Sequence, residues 1–241
     1  MGIEPQTWSV TAQNLPEHAG NPIHTDAGAQ AAGFPSALVA GVTTYAYLTH
    51  PAVVAWGRDW LQHGGGEVRF RAPVFAGDRV ECTPRLEGGQ WTIGAVCPAQ
   101  ATNPRVPFAV PRDSGPPPEM RPGEQLPSRR IVLDGRYGAD YGSRAGDDLP
   151  VFECEGIVHP AVWPALANHV YSTDLVDGAW IHTRSIVRHP ALGPAGATVT
   201  VHATVVDRFD RHGERAVCDI VIEHGGTVLA TAIDKYCYLS C

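Results

Sequence analysis

The sequence predicts an α+β fold in which two curled antiparallel sheets are each wrapped round a central helix. Three observations predict it. Leu38 to about Thr49 is apolar with almost no charge, the mark of a helix buried on every side. After Gly64-Gly65-Gly66 the hydrophobic period drops to two, as half-buried strands require. The element order then recurs: Val68-Arg69-Phe70-Arg71 and Gly77-Asp78-Arg79-Val80 find a faint counterpart in Thr183-Arg184-Ser185-Ile186 and Gly196-Ala197-Thr198-Val199, which reads as an internal duplication. Edge-to-edge pairing of the two sheets would remove exposed strand edges.

In order, Trp8 to Ala12 alternates as a short strand, and Asn14 to Gly20 is loop. Thr25 or Asp26 caps a short helix through about Ala32, ended by Gly33. The buried helix follows, interrupted at Pro51, with an amphipathic segment from Ala52 to Gln62. Strands are expected at Val68 to Arg71, Arg79 to Leu86, Gln90 to Cys97 and around Val106 to Val110. The first unit spans residues 1–110. A Pro- and Gly-rich stretch at 111–150, centred on Pro116-Pro117-Pro118, reads as a partly extended linker. The second unit, 151–241, opens with a strand from Val151 to Val158. A helix from Ala161 to Val176 follows, then strands from Trp180 to Val187, Thr198 to Val205, Ala216 to Glu223 and Thr227 to Leu239, with a hairpin at Asp210 to Gly213.

Composition narrows the function classes. A net charge of -7 with no basic cluster argues against nucleic acid and anionic membrane surfaces as partners. No apolar run reaches the ~18 residues needed to cross a bilayer, and Met1 to Gln13 lacks the pattern of a secretion signal, so a cytoplasmic location is expected. The six cysteines are scattered without a CxxC pair and read as reduced, mostly buried thiols, Cys218 in the core among them. No HxH or HExxH spacing unites the histidines, so no metal is expected.

The chemistry concentrates in Asn21-Pro22-Ile23-His24-Thr25-Asp26, followed by the buried helix with Gly41 near its start. A helix start offers free N–H groups and partial positive charge for an oxygen that gains electrons. A nearby histidine and carboxylate can move protons. Structural alternatives stand beside each role: Pro22 fixing a turn with Asn21 bonded to local backbone, Asp26 as a helix cap, Gly41 allowing close helix–sheet contact. His182, His189, His202 and His212 read as strand-surface or turn residues, and Asn168 and His169 as residues able to face the site from the second helix.

Asn21-Pro22-Ile23-His24, with Asp26 two residues on and Ala40-Gly41 at the helix start, resembles the MaoC-like, or (R)-specific enoyl-CoA hydratase, branch of the hot-dog fold. The paired units resemble its double hot-dog version. The likeness covers residues 21 to 48 as motif and the whole chain as architecture. It implies an acyl dehydratase or enoyl-thioester hydratase. His24 would be the general acid/base, Asn21 would hold water or orient His24, and the Gly41 N–H would meet the thioester oxygen. Ala40, Tyr45 and Phe34 would line the substrate pocket. The family's first Asp falls at position 19, where this chain has Ala19; Asp26, ahead of Glu17, is expected to stand in. The resemblance implies no cofactor beyond the coenzyme A or acyl carrier of the thioester substrate, and by analogy it leaves a homodimer open. The competing readings are a hot-dog thioesterase, disfavoured because the helix has no carboxylate between Ala37 and Thr49, and a catalytically degenerate acyl- or partner-binding protein, favoured by Ala19.

Overall fold

The computed structural model describes residues 3–97, 106–211 and 213–238. The N-terminal half contains β1 (Trp8–Thr11), α1 (Asp26–Ala31), α2 (Gly41–His63), β2 (Gly65–Arg69), β3 (Arg79–Glu87), β4 (Gln90–Val96) and β5 (Val106–Val110). The rest supplies β6 (Glu124–Gln125), β7 (Arg129–Val132), α3 (Tyr141–Ala145), α4 (Val151–Glu155), α5 (Val162–Asp174), β8 (Trp180–Arg188), β9 (Thr198–Asp210), β10 (Glu214–His224) and β11 (Thr227–Tyr238). Leu239 and Cys241, and His212 of the expected hairpin, lie outside the described residues.

The eleven strands among the described residues form one sheet, in the order β1-β3-β4-β5-β2-β8-β11-β10-β9-β6, with β7 also on β9. The halves repeat one plan. In each, the strand after the long helix pairs with that half's last strand, β2 with β5 and β8 with β11. The seam is the antiparallel pair β2–β8, with Gly65 opposite Arg188 and Arg69 opposite Arg184. The two halves therefore meet edge to edge, and each buries one helix: Tyr45, Leu48 and Trp60 of α2, and Leu166, Val170 and Tyr171 of α5, are all fully enclosed. This is the double hot-dog architecture.

The seam explains the Gly64-Gly65-Gly66 run. Gly65 has φ +146°, and a Cβ there would stand 2.1 Å from the Val187 carbonyl oxygen; one on Gly66 would stand 2.2 Å from the Phe108 ring. Two of these glycines therefore sit inside β2 as the condition for close strand approach, rather than marking a break before it. Gly66→Val is expected to lower stability by about 3 kcal/mol, read as a fall in the urea midpoint at unchanged slope.

Three expectations need correction. Val151 to Val158 is not a strand: Pro150 leads into α4, and Gly156, left-handed at φ 62° and ψ 42°, ends it. α2 runs through Pro51 and is interrupted instead at Gly57, with φ 53° and ψ -138°. Close packing on both sides of Pro51 holds the helix together where proline alone would favour a break. The 111–150 stretch is only in part a connector. From Glu124 onward it joins the second half, with β6 and β7 paired to β9 and with Leu133 and Tyr141 buried.

Of the cysteines, Cys82, Cys97, Cys218 and Cys237 are buried and Cys154 is exposed. No helix among the described residues is long and apolar enough to cross a membrane.

Candidate functional site

The loop at Asn21 is built by short-range chemistry. The Asn21 side chain accepts from the Ile23 N–H at 3.4 Å, Pro22 opens a single 3₁₀ turn, and His24 closes it. Thr25, not Asp26, caps α1, its hydroxyl oxygen accepting from the Gly28 N–H at 3.2 Å. α1 packs so tightly on the turn that a Cβ on Gly28 would stand 2.1 Å from the Pro22 carbonyl oxygen. Beneath the loop, Ile23, Ala29 and Leu38 form their own small apolar cluster, with Phe34 and Ile181 against it.

The Asn21 amide bonds the other half of the molecule through both its nitrogen and its oxygen. Its Nδ2 donates to the Trp180 carbonyl at 2.9 Å, and its Oδ1 accepts from the Trp180 N–H at 3.4 Å. Asn21 thus pins the loop to the start of β8. The site exists only where the two halves meet.

His24 donates from Nδ1 to the Leu38 carbonyl at 2.8 Å. That bond places the ring proton on Nδ1 and leaves the Nε2 lone pair as the basic position. Burial holds the His24 pKa below the ordinary histidine value, partly offset by the bond to Leu38, so the neutral ring is favoured. Asn21, His24 and Gly41 line a cleft of about 210 Å³ whose other walls include Phe34, Phe70 and His182. Gly41 is the first residue of α2, at the positive end of the segment that runs to the break at Gly57. Phe70 lies over it, 3.4 Å from where a Gly41 Cβ would be.

A second cavity of about 130 Å³ shares Asn21, His24, Asn168 and Trp180 with the cleft and adds Glu17, His18 and Arg136. Glu17 is mostly buried and ion-paired with Arg144. The His18 ring lies 5.9 Å from the His24 ring, and its Nε2 is 3.3 Å from the Thr43 hydroxyl. Burial first, then the neighbouring His24, Arg144 and Arg136, lowers the His18 pKa to about 3.

The remaining expected residues divide. Phe34 lines the cleft. Ala40 does not; it is the buried cap of α2, its carbonyl accepting from the Thr43 and Thr44 N–H groups. Tyr45 is core rather than pocket, fully buried and edge-on to Phe108 at 5.3 Å. Asp26 is exposed, accepts from the Ala37 N–H at 2.9 Å and lines neither cavity, so Glu17 is the carboxylate nearer His24's surroundings. Asn168 faces both cavities and His169 the second. His182 and His189, expected on strand surfaces or in turns, are buried, His189 with its pKa lowered by burial to about 4. For His182 the signal was present: in Trp180-Ile181-His182 it is in phase with a tryptophan on an alternating strand.

Among the described residues, one group could hold a cation: His50, Asp147 and Asp148, whose ligand atoms lie within 4.8 Å of one another. None of the three lines the cleft. A direct hydrogen bond of 2.9 Å from His50 Nδ1 to Asp147 accounts for the closest contact.

Residues 15–94 match the family described as MaoC like domain. This chain carries a MaoC-like domain. The match begins after β1 and ends within β4, so it spans the site loop, α2, β2 and β3. A MaoC-domain protein of Chloroflexus aurantiacus superposes with a TM-score of 0.63 at 14% identity, covering 97% of this chain and 95% of that one. A MaoC-like dehydratase gives 0.57 at 16%, covering 99% of each. A double-hotdog protein of Mycobacterium tuberculosis gives 0.57 at 12%, covering 97% and 96%. At such identities the likeness carries the fold, and it extends the double hot-dog beyond the MaoC-like domain to the whole chain. No curated protein matches the chain.

Proposed function

We propose that the MaoC-like domain and its C-terminal partner form a hydro-lyase that adds water to 2-enoyl thioesters, or removes it from 3-hydroxyacyl thioesters. The observation that carries the reading is His24: a neutral imidazole of fixed tautomer, in a cleft that also holds the first residue of a long helix. Nε2 takes a proton from water as the oxygen bonds to the β-carbon. The thioester oxygen gains electrons, and the Gly41 N–H donates to it. One such donor is typically worth about 3 to 4 kcal/mol at the transition state. Asn21 acts through position, holding His24 against the second half. The apolar walls, Phe34 and Phe70 among them, suit an acyl group. Coenzyme A or an acyl carrier serves as the substrate's handle, with no resident cofactor in the chemistry.

The test is loss of enoyl-thioester absorbance when purified protein meets trans-2-enoyl-CoAs of short and medium chain length. Turnover that disappears in His24→Ala is the expected result. A folded wild-type protein that consumes none of the series, offered as CoA or carrier thioesters, defeats the reading.

A further inference from the structure

The missing carboxylate at position 19 leaves a question of proton supply, and the second half of the molecule holds an answer. His182 stands on β8, lines the same cleft as His24 and is 5% exposed. Its Nε2 donates to the Arg184 carbonyl at 3.0 Å and lies 3.4 Å from Asp234 Oδ1 on β11. Its Nδ1 is buried and has no hydrogen-bond partner among the described residues. Asn14 Oδ1, His189 Nε2 and the hydroxyls of Tyr45, Tyr141 and Tyr171 are buried and unpaired as well, but of these six residues His182 alone lines the cleft.

The pairing of β8 with β11 shows how this arose. The register slips between Lys235 and Tyr236, so that His182 faces Tyr236 while Ser185, three residues on, faces Asp234. On a regular strand, residues three apart point to opposite faces. Here both His182 and Ser185 are buried, and both reach Asp234. Irregularities of this kind re-aim side chains.

Asp234 itself is fully buried. It accepts from the Tyr236 hydroxyl at 3.0 Å and from the Ser185 hydroxyl. The titratable side chains whose ionisation it opposes come from every element packed around it: Tyr45 on α2, Tyr171 on α5, Cys218 on β10 and Tyr236 on β11. In each, burial acts first and the acid stays protonated, so none brings a positive charge to the carboxylate.

We propose that His182 is the second proton-transferring residue of this cleft, held by the Arg184 carbonyl and charge-balanced by Asp234, so that the acid/base pair is drawn from both halves of the chain. The inference rests on the hydratase reading. In the hydration direction, water's oxygen bonds to the β-carbon and its proton goes to His24 Nε2. The π electrons move to the thioester oxygen. As they return, the α-carbon takes the Nδ1 proton of a His182 ring that entered the cycle protonated on both nitrogens, which leaves the neutral ring with its proton on Nε2. Water in the cleft then carries the proton from His24 back to His182. Asp234 is a positioning residue: the bond from Nε2 to the Arg184 carbonyl holds the ring, the Asp234 carboxylate lies 3.4 Å from the same nitrogen, and Nδ1 is left for chemistry.

The experiment compares wild type, His182→Gln and Asp234→Asn on the best enoyl-CoA. His182→Gln is expected to lower kcat about 100-fold or more with KM within about threefold, the usual share of one general acid. Asp234→Asn should lower kcat by a smaller factor and leave KM alone. Because either variant could fail to fold, imidazole ¹⁵N NMR of the wild-type protein gives an independent reading: adding a 3-hydroxyacyl-CoA should shift the His182 Nδ1 resonance. An active wild type whose His182→Gln keeps more than half its turnover, or whose His182 resonances ignore the ligand, overturns the proposal. An inactive wild type instead removes the parent reading, and this one with it.

Discussion

His24→Ala is expected to lower kcat about 10³-fold, within the 10²–10⁴ range that a positioned general acid/base contributes. The thermal midpoint should move little. The ring's one hydrogen bond to protein, from Nδ1 to the Leu38 carbonyl, closes a loop that Asn21, Thr25 and the Ile23 cluster also hold. KM should change within about threefold, since the acyl walls remain. Asn21→Ala makes an informative contrast. It removes the two bonds to Trp180, so the site loop loosens at the seam, and both kcat and KM should worsen. The pH profile follows from the direction of the His24 shift. A base must be unprotonated, and burial lowers its pKa from 6.5, so kcat/KM should hold as pH falls through 6.5 and decline only below it. An acid limb centred above 6.5 would assign the base to another residue.

Asp147→Ala is expected to destabilise the fold by about 3–5 kcal/mol, the cost of leaving the partners of a buried charged group unpaired. Asp147 is enclosed where α2, the stretch after α3 and the approach to α5 meet. His50 Nδ1 donates to one carboxylate oxygen at 2.9 Å and His159 Nε2 to the other at 3.2 Å, and the Leu149 N–H adds a third bond at 2.9 Å. His159 in turn accepts from the Ala161 N–H through Nδ1, and Trp8 stacks on His50 with ring centroids 3.8 Å apart. Removing the carboxylate strands two buried histidine N–H groups and a third, partly buried donor at Leu149. The loss is a large part of a typical stability of about 5–15 kcal/mol and should appear as a lower urea midpoint.

The same group gives the fold an acid limit. Burial alone would raise the Asp147 pKa, but the hydrogen bonds from His159 and His50 outweigh it and hold the carboxyl well below the usual range. Stability from such a lowered acid is present above the unfolded pKa of about 3.9 and is lost as pH falls below it. His18 and His189 act in the same direction over a higher window. Held at about 3 and about 4, they refuse protons that the unfolded chain accepts near 6.5, so stability falls as pH drops from about 6.5 toward 4. Urea midpoints between pH 7 and pH 4 should decline steadily. His189→Gln should flatten the upper part of that decline.

What the sequence by itself determined was whatever depends on near neighbours along the chain. The change of hydrophobic period from helix to strand located α2, α5 and most strands, because burial repeats at 3.6 residues on one and at 2 on the other. The Asn21-Pro22 turn, its histidine and the glycine at the helix start were legible because caps and turns are built from side chains one to three residues away. Composition misled where a local tendency was overruled by packing. Pro51 stays inside α2 because the core encloses it, Val151 to Glu155 is helical between Pro150 and Gly156, and the latter part of the Pro/Gly stretch is recruited as β6 and β7 by the open edge of β9. Only the tertiary structure decided which polar groups meet across more than a hundred residues. Asn21 reaches Trp180, and His182 shares the cleft of His24. Closer along the chain, but still beyond the reach of any local pattern, Asp147 bonds His50 and Asp234 lies beside His182. Those pairings depend on sheet register and on one slip of it between Lys235 and Tyr236, and a register is set by the sum of all cross-strand contacts rather than by any stretch read alone.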